Sequence, residues 1–182
     1  MILHPIERKD NQGNTIIIRS VEVSDGTALI DYMEKTARES RFLIREPGER
    51  IPSPEEEAEF LKSRIDAERE LMLVSYIGDD LVGACSLMSA GPQLRYAHRC
   101  QVAIALLKDY WNRGIGTIML ETLLSAAKDL GYEQAELEVV SENKAAMKLY
   151  EKLGFVKYGE LPNNMKYSDG TYADTYWMMK KL

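Results

Sequence analysis

Apolar positions change period along the chain, and the changes mark out its elements. In "TIIIRSV", residues 15–21, β-branched side chains predominate and predict a first strand. "SDGTALIDYMEKTAR" follows, with Leu29, Tyr32, Met33 and Thr36 at helical spacing. Beyond the Pro- and Gly-rich "REPGERIPSP", Ser53, Pro54 and Glu56 form a capping box with proline at the first helical position. They open a second helix, whose acidic residues 55–57 suit the positive end of a helix dipole. Two apolar runs, 71–77 and 81–89, flank Gly78-Asp79-Asp80 and predict a β-hairpin. "RCQVAIALL", 99–107, is apolar almost throughout and reads as a central strand. Residues 113–130 predict a helix with Ile115, Ile118, Met119, Thr122, Leu123, Ala126 and Leu130 in one stripe, stopped by Gly131. "QAELEVV", 134–140, alternates as a strand. A short helix over 143–153 places Ala146, Leu149, Tyr150 and Leu153 on one face and ends at Gly154. "FVKYGEL" and "TYADTYWMMKKL" are two last strands, joined across "PNNMKYSDG" with a tight turn at Asp169-Gly170.

This order, β-α-α-β-β-β-α-β-α-β-β, predicts a single α/β (α+β) domain over residues 1–182. Its core is a mixed, mainly antiparallel sheet of about seven strands flanked by helices. A net charge of −6 argues against nucleic acid as the main partner, because phosphate binding needs a basic face. No run approaches the ~20 apolar residues of a membrane span, and the N-terminus lacks a signal-peptide core. The expectation is a cytoplasmic protein with no membrane partner. Cys85 and Cys100 lie in apolar runs and read as buried thiols. With His4 and His98 the only histidines, and no CxxC or HExxH, no metal site is expected.

The chemistry concentrates in "DYWNRGIGTIML", 109–120, where two glycines follow an arginine between a strand and a helix. No Gly-Lys-Ser or Gly-Lys-Thr occurs, which excludes a Walker loop. A dinucleotide fingerprint fails because Met119 stands where the third glycine belongs. Two readings stay open. Free amides at a helix N-terminus make an anion site that glycine lets a phosphate approach closely. Alternatively, the glycines only shape a tight turn.

The stretch Trp111-Asn112-Arg113-Gly114-Ile115-Gly116 resembles the Q/R-x-x-G-x-G/A loop of the GCN5-related N-acetyltransferase (GNAT) family. "VVSENKAAMKLYEKLGF" is similar to the family's second signature, matched at Asn143, Ala146, Leu149, Tyr150, Gly154 and Phe155. The likeness covers about residues 71–160. Trp111 departs from the usual Gln/Arg, so Arg113 is a candidate for the missing side-chain contact. The resemblance implies acetyl-CoA as co-substrate, no metal, and a primary amine of a small molecule, peptide or protein as acceptor. It places the diphosphate on Trp111, Asn112, Arg113, Gly114, Ile115, Gly116 and Thr117. Pantetheine falls along the strand edge at Ile104, Ala105 and Leu106, with Asn143 and Tyr150 beside it.

Acetyl transfer needs a neutral amine, amide donors for the oxyanion, and protonation of the leaving thiolate. The resemblance makes Tyr150 the acid. Seven residues separate it from Asn143, two helical turns or about 10 Å, so the two share a face. Asn143 also reads as an ordinary N-cap. The general base is not evident: the central strand carries no carboxylate, Glu138 is a candidate that reads more simply as a solvated or paired strand residue, and His98 at that strand's mouth is either a proton relay through water or an ordinary edge histidine. The family's acceptor-holding segments correspond to 32–56 and 160–175, with Tyr32, Arg41, Phe42, Arg45, Glu46, Tyr167, Tyr172, Asp174 and Tyr176 in or beside them. Tyr172, Asp174 and Tyr176 alternate and therefore share one strand face. A homodimer through the aromatic-rich last strand is compatible with the sequence. The alternative function is a non-catalytic acyl-CoA sensor, which would keep the glycine loop and need no acid.

Overall fold

The computed structural model describes residues 1–182. One sheet of eight strands runs in the order β1-β2-β3-β4-β5-β6-β8-β7, one more strand than the sequence pattern predicts. The extra strand is β1 (Ile6–Lys9), which pairs with β2 (Thr15–Ser20) around the turn Asp10–Asn14. Only one of its four residues is aliphatic, so no period betrays it. The predicted hairpin is β3 (Leu71–Ile77) and β4 (Asp80–Ser89), turning at Gly78 with φ +60°. Next come β5 (Arg99–Leu106), β6 (Gln134–Val140), β7 (Val156–Lys166) and β8 (Tyr172–Lys181). All neighbours pair antiparallel except β5 and β6.

Helices α1 (Gly26–Glu39) and α2 (Pro54–Asp66) cover one face of the sheet over β3 and β4. The capping box of α2 forms as expected, with Ser53 and Glu56 each accepting from the other's backbone amide. Helices α3 (Ile115–Asp129) and α4 (Lys144–Lys152) lie on the opposite face, over the main core. Cys85 and Cys100 are both buried there as free thiols. The buried face of α3 is rotated relative to the predicted stripe. Leu120, Leu124 and Ala127 join Ile115, Met119 and Leu123 inside, while Ile118, Thr122 and Leu130 lie at its margin. No helix is long and apolar enough to cross a membrane.

Between β4 and β5 a side chain substitutes for a strand contact. A bulge at Val82 shifts the β3–β4 register. The Tyr32 hydroxyl, brought in from α1, accepts from the Ala84 amide at 3.2 Å and donates to the Ala105 carbonyl at 2.7 Å. Tyr32 is thus a buried structural bridge and not the acceptor-binding group expected of its segment. Removing its oxygen orphans two half-buried backbone groups, which costs roughly 1 kcal/mol or somewhat more. Tyr32→Phe should therefore lower the urea midpoint with an unchanged m-value; an unshifted midpoint would show that the bridge contributes nothing.

Candidate active site

The parallel pairing of β5 with β6 covers only Arg99–Gln101 against Gln134–Glu136. Beyond Gln101 and Glu136 the strands part. Residues along a strand direct their peptide groups alternately to either neighbour. Arg99 and Leu107 face β4, accepting from the Ala90 amide and donating to the Val82 carbonyl. By that alternation Ile104 and Leu106 turn their amides and carbonyls into the gap, and Glu138 and Val140 do so from the β6 side. Ala105 does not belong to the gap edge where it was expected. Its peptide groups turn toward β4, and its carbonyl is held by Tyr32. The Leu106 carbonyl is closed off by the Trp111 indole N–H at 2.8 Å. Trp111 therefore folds back onto the strand end instead of standing in for the Gln/Arg of the family loop.

At the end of the gap the chain turns into α3. Gly114 is the N-cap, with φ +82° and no side chain to cap the helix. The helix consequently begins at Ile115, two residues later than its pattern suggests, with Arg113 and Gly114 in the turn. Asn112 also has positive φ, +59°. Six consecutive backbone amides, from Asn112 to Thr117, donate to no acceptor within the chain. A helix of 15 residues carries about half a positive charge at this end. The result is a run of free donors in a favourable field, suited to an anion. The two glycines differ in purpose. A Cβ on Gly114 would lie 2.9 Å from Asn11 Oδ1, and one on Gly116 would lie 3.2 Å from Leu149 and 3.4 Å from Leu106. Gly116 thus lets α3 sit close against the gap's apolar wall.

Arg113 is not free to meet a ligand. Its Nε and Nη2 donate to Asp10 Oδ2 at 2.8 and 2.5 Å, and its guanidinium lies 4.8 Å from the Tyr110 ring centre. The substitution for the missing Gln/Arg that the sequence suggested is therefore not made.

Helix α4 runs alongside the gap. Asn143 caps it, its side-chain oxygen accepting from the Ala146 amide at 3.1 Å, so that oxygen is committed to the backbone. The Tyr150 ring is buried in the main core, edge-on to Phe155 at 5.9 Å. Burial pushes its hydroxyl up to about 12. That hydroxyl makes no hydrogen bond in the chain, yet it is not sealed. The only fully enclosed side-chain atoms without partners are Arg64 Nε and Tyr167 Oη.

Access to the gap comes from the face that α1 and α2 leave bare. On the α3 side Ile104, Leu106 and Leu149 close over Gly116. On the other side Ala103 is exposed in mid-strand, and Glu138 is exposed two residues past the last β5–β6 pair. Glu138 accepts a hydrogen bond from the Asn164 side chain, which also donates to Thr175 Oγ1 at 2.9 Å. His98 lies at the opposite end of β5, about 20 Å from Ile104 at ~3.3 Å per residue, and takes no part in the site.

Residues 41–155, which include the gap, the amide turn and α4, match the description "Acetyltransferase (GNAT) family". The chain belongs to the GNAT acetyltransferase family. An N-alpha-acetyltransferase of Sulfurisphaera tokodaii is 35% identical over 130 residues, 70% of this chain and 72% of that protein. N-alpha-acetyltransferase 30 of Schizosaccharomyces pombe is 37% identical over 73 residues, 40% of this chain. That match spans 47% of the relative, about half its length. A GNAT acetyltransferase structure from Streptococcus pneumoniae superposes with a TM-score of 0.87 at 26% identity, covering 92% of this chain and 99% of that one. A putative acetyltransferase of Salmonella typhimurium, solved with its cofactor acetyl-CoA, shares the fold at 17% identity, with a TM-score of 0.81 over 92% of this chain and 94% of that one.

The two segments expected to hold an acceptor meet. The α1–α2 loop touches the β7–β8 hairpin through Arg41, which lies 4.2 Å from the Tyr167 ring centre and donates to Thr171 Oγ1 at 3.3 Å. The Ser168 amide donates to Glu46 at 2.9 Å, and Phe42 packs with Tyr167, Val140 and Ala173. Arg45 instead donates to the Arg50 carbonyl at 2.6 Å, within its own loop. Tyr172, Asp174 and Tyr176 do share one face, but it is the α3/α4 face. Tyr176 lies opposite Val139, whereas Trp177 lies opposite Glu138. Asp174 is occupied there, accepting from the Asn163 amide at 2.7 Å.

Proposed function

We propose that this protein is an acetyl-CoA-dependent N-acetyltransferase that acetylates a primary amine, with an N-terminal α-amino group as the preferred acceptor. One observation carries the reading: six unpaired amides, Asn112 to Thr117, open at a helix N-terminus beside the gap where β5 and β6 cease to pair. The amides suit the diphosphate, and Ile104 and Leu106 suit the amide-bearing pantetheine arm as a strand-like partner. Bound acetyl-CoA supplies the activated acetyl thioester. The N-alpha-acetyltransferase relatives support the choice of acceptor.

The chain's own groups then divide the proton traffic. Glu138, exposed at the mouth of the gap and steadied by Asn164, is the carboxylate placed to hold the ammonium and take its proton. Tyr150 Oη, free of any internal partner, donates to the departing sulfur. A simple thiolate has a pKa of ~8.5, below that of the buried tyrosine, so the proton moves to sulfur as the C–S bond breaks and negative charge builds there.

Ligand binding and turnover separate the readings. At a hundred times Kd, acetyl-CoA and CoA should stabilise the protein by about 2.7 kcal/mol, or roughly 5–10 °C in Tm, whereas NAD and ATP should not. Free thiol should then be released with peptides bearing an unblocked N-terminus. Stabilisation without thiol release on any amine would leave an acyl-CoA sensor; no stabilisation would remove the cofactor site altogether.

A further inference from the structure

The amide turn does not stand alone. The β1–β2 turn, Asp10 to Asn14, is docked against it from 103 residues away in sequence. It grips Arg113 at both ends. Asp10 Oδ2 takes the guanidinium through Nε and Nη2, and the Asn11 amide donates to the Arg113 carbonyl at 2.9 Å. The Asp10 side chain is wholly buried, and that of Arg113 is 13% exposed. Other bonds orient the carboxylate: Oδ1 accepts from the Gln12 amide at 2.9 Å and the Asn14 amide at 2.8 Å. Burial alone would favour the neutral acid. The bonds from Arg113, Asn14 and Gln12 prevail and hold the carboxyl at about 2, so it is charged at any working pH.

The consequence for the site follows from peptide geometry. A trans peptide directs its C=O and the next N–H to opposite sides. With the Arg113 carbonyl fixed toward Asn11, the Gly114 N–H is fixed away from the turn, among the free donors. Asn11 can approach this closely only because Gly114 lacks a Cβ.

We propose that Asp10 is a positioning residue for the cofactor's diphosphate, acting through Arg113 and never touching the ligand; this rests on the acetyl-CoA reading above. The idea is distinguishable by sign from simple electrostatics. Asp10 is an anion near an anion site. If charge alone mattered, Asp10→Asn would tighten CoA binding and release Arg113 to contact phosphate. If Asp10 positions the loop, the same change weakens CoA binding.

The test compares Kd for CoA, and KM and kcat for acetyl-CoA and for S-acetylpantetheine, which lacks the phosphates. Asp10→Asn should raise Kd and KM for the CoA compounds about tenfold, with kcat and the S-acetylpantetheine kinetics unchanged. Arg113→Met should do the same, and the double variant should lose no more than either single one. Unchanged or tighter CoA binding in Asp10→Asn overturns the proposal. Equal losses with S-acetylpantetheine also overturn it, since they mark a general disturbance of the fold. Should Asp10→Asn not fold, Arg113→Met carries the same comparison, and parity between the two donors there decides against it. If the unaltered protein binds no CoA, the cofactor reading itself has failed, a different result from any of these.

Discussion

Tyr150→Phe is expected to lower kcat at least tenfold, and up to several hundredfold, while Kd for acetyl-CoA stays within a factor of two. The asymmetry follows from the geometry. The ring is core, packed edge-on against Phe155 and conserved in shape by phenylalanine. The hydroxyl has no partner in the chain, so its removal orphans nothing and costs little stability. With the pKa pushed up to about 12, the proton is held throughout the neutral range, and loss of rate at high pH should not trace to this residue. Substitution of a better leaving group, an acyl thioester with a more acidic thiol, should narrow the gap between variant and parent. Full activity of Tyr150→Phe under conditions where chemistry limits the rate would remove the residue from the mechanism.

Glu138→Gln is expected to reduce kcat/KM for the amine by two orders of magnitude or more. Glutamine keeps the size and can still face the Asn164 side chain, but it neither attracts an ammonium group nor accepts its proton. The residual rate should rise with pH as free amine, whose α-amino pKa is ~7.7–8.0, becomes available. A variant with the parental kcat/KM would show that solvent accepts the proton. Acetyl-CoA affinity serves as the internal control, since Glu138 faces the bare side of the sheet and not the amide turn.

The parts of this site differed in how far they could be read before the structure. The glycines of the amide turn, taken alone, fit an anion site and a tight turn equally; the family resemblance favoured the first. Tyr150 likewise stood out through the resemblance, since its spacing alone fits a core tyrosine, whereas the capping box of α2 was legible from four adjacent residues. Glu138 could be seen but not judged. Its strand alternates, so an outward carboxylate is ordinary; what singles it out is the end of the β5–β6 pairing two residues earlier, a property of two strands and not of one. The same limit explains Tyr32, whose place in a helical stripe gives no hint that its hydroxyl reaches between β4 and β5. Tyr172, Asp174 and Tyr176 were correctly assigned a common face, but which face depends on their register against β6. Asp10 and Asn11 lie in a run, "DNQGN", that announces a turn and says nothing about what the turn leans on. Long-range partners are invisible to periodicity.

The short seam between β5 and β6 also bears on the mechanics of the whole molecule. Five strands on one side and three on the other share a single sheet, yet edge to edge they are stitched by only three residue pairs. On the proposed reading, a guest lodged beyond that seam would supply the missing rungs and act as a keystone as well as a reactant. Occupancy and rigidity would then be linked: loosening the two halves would weaken the grip on the guest, and the guest's departure would return the freedom it had removed.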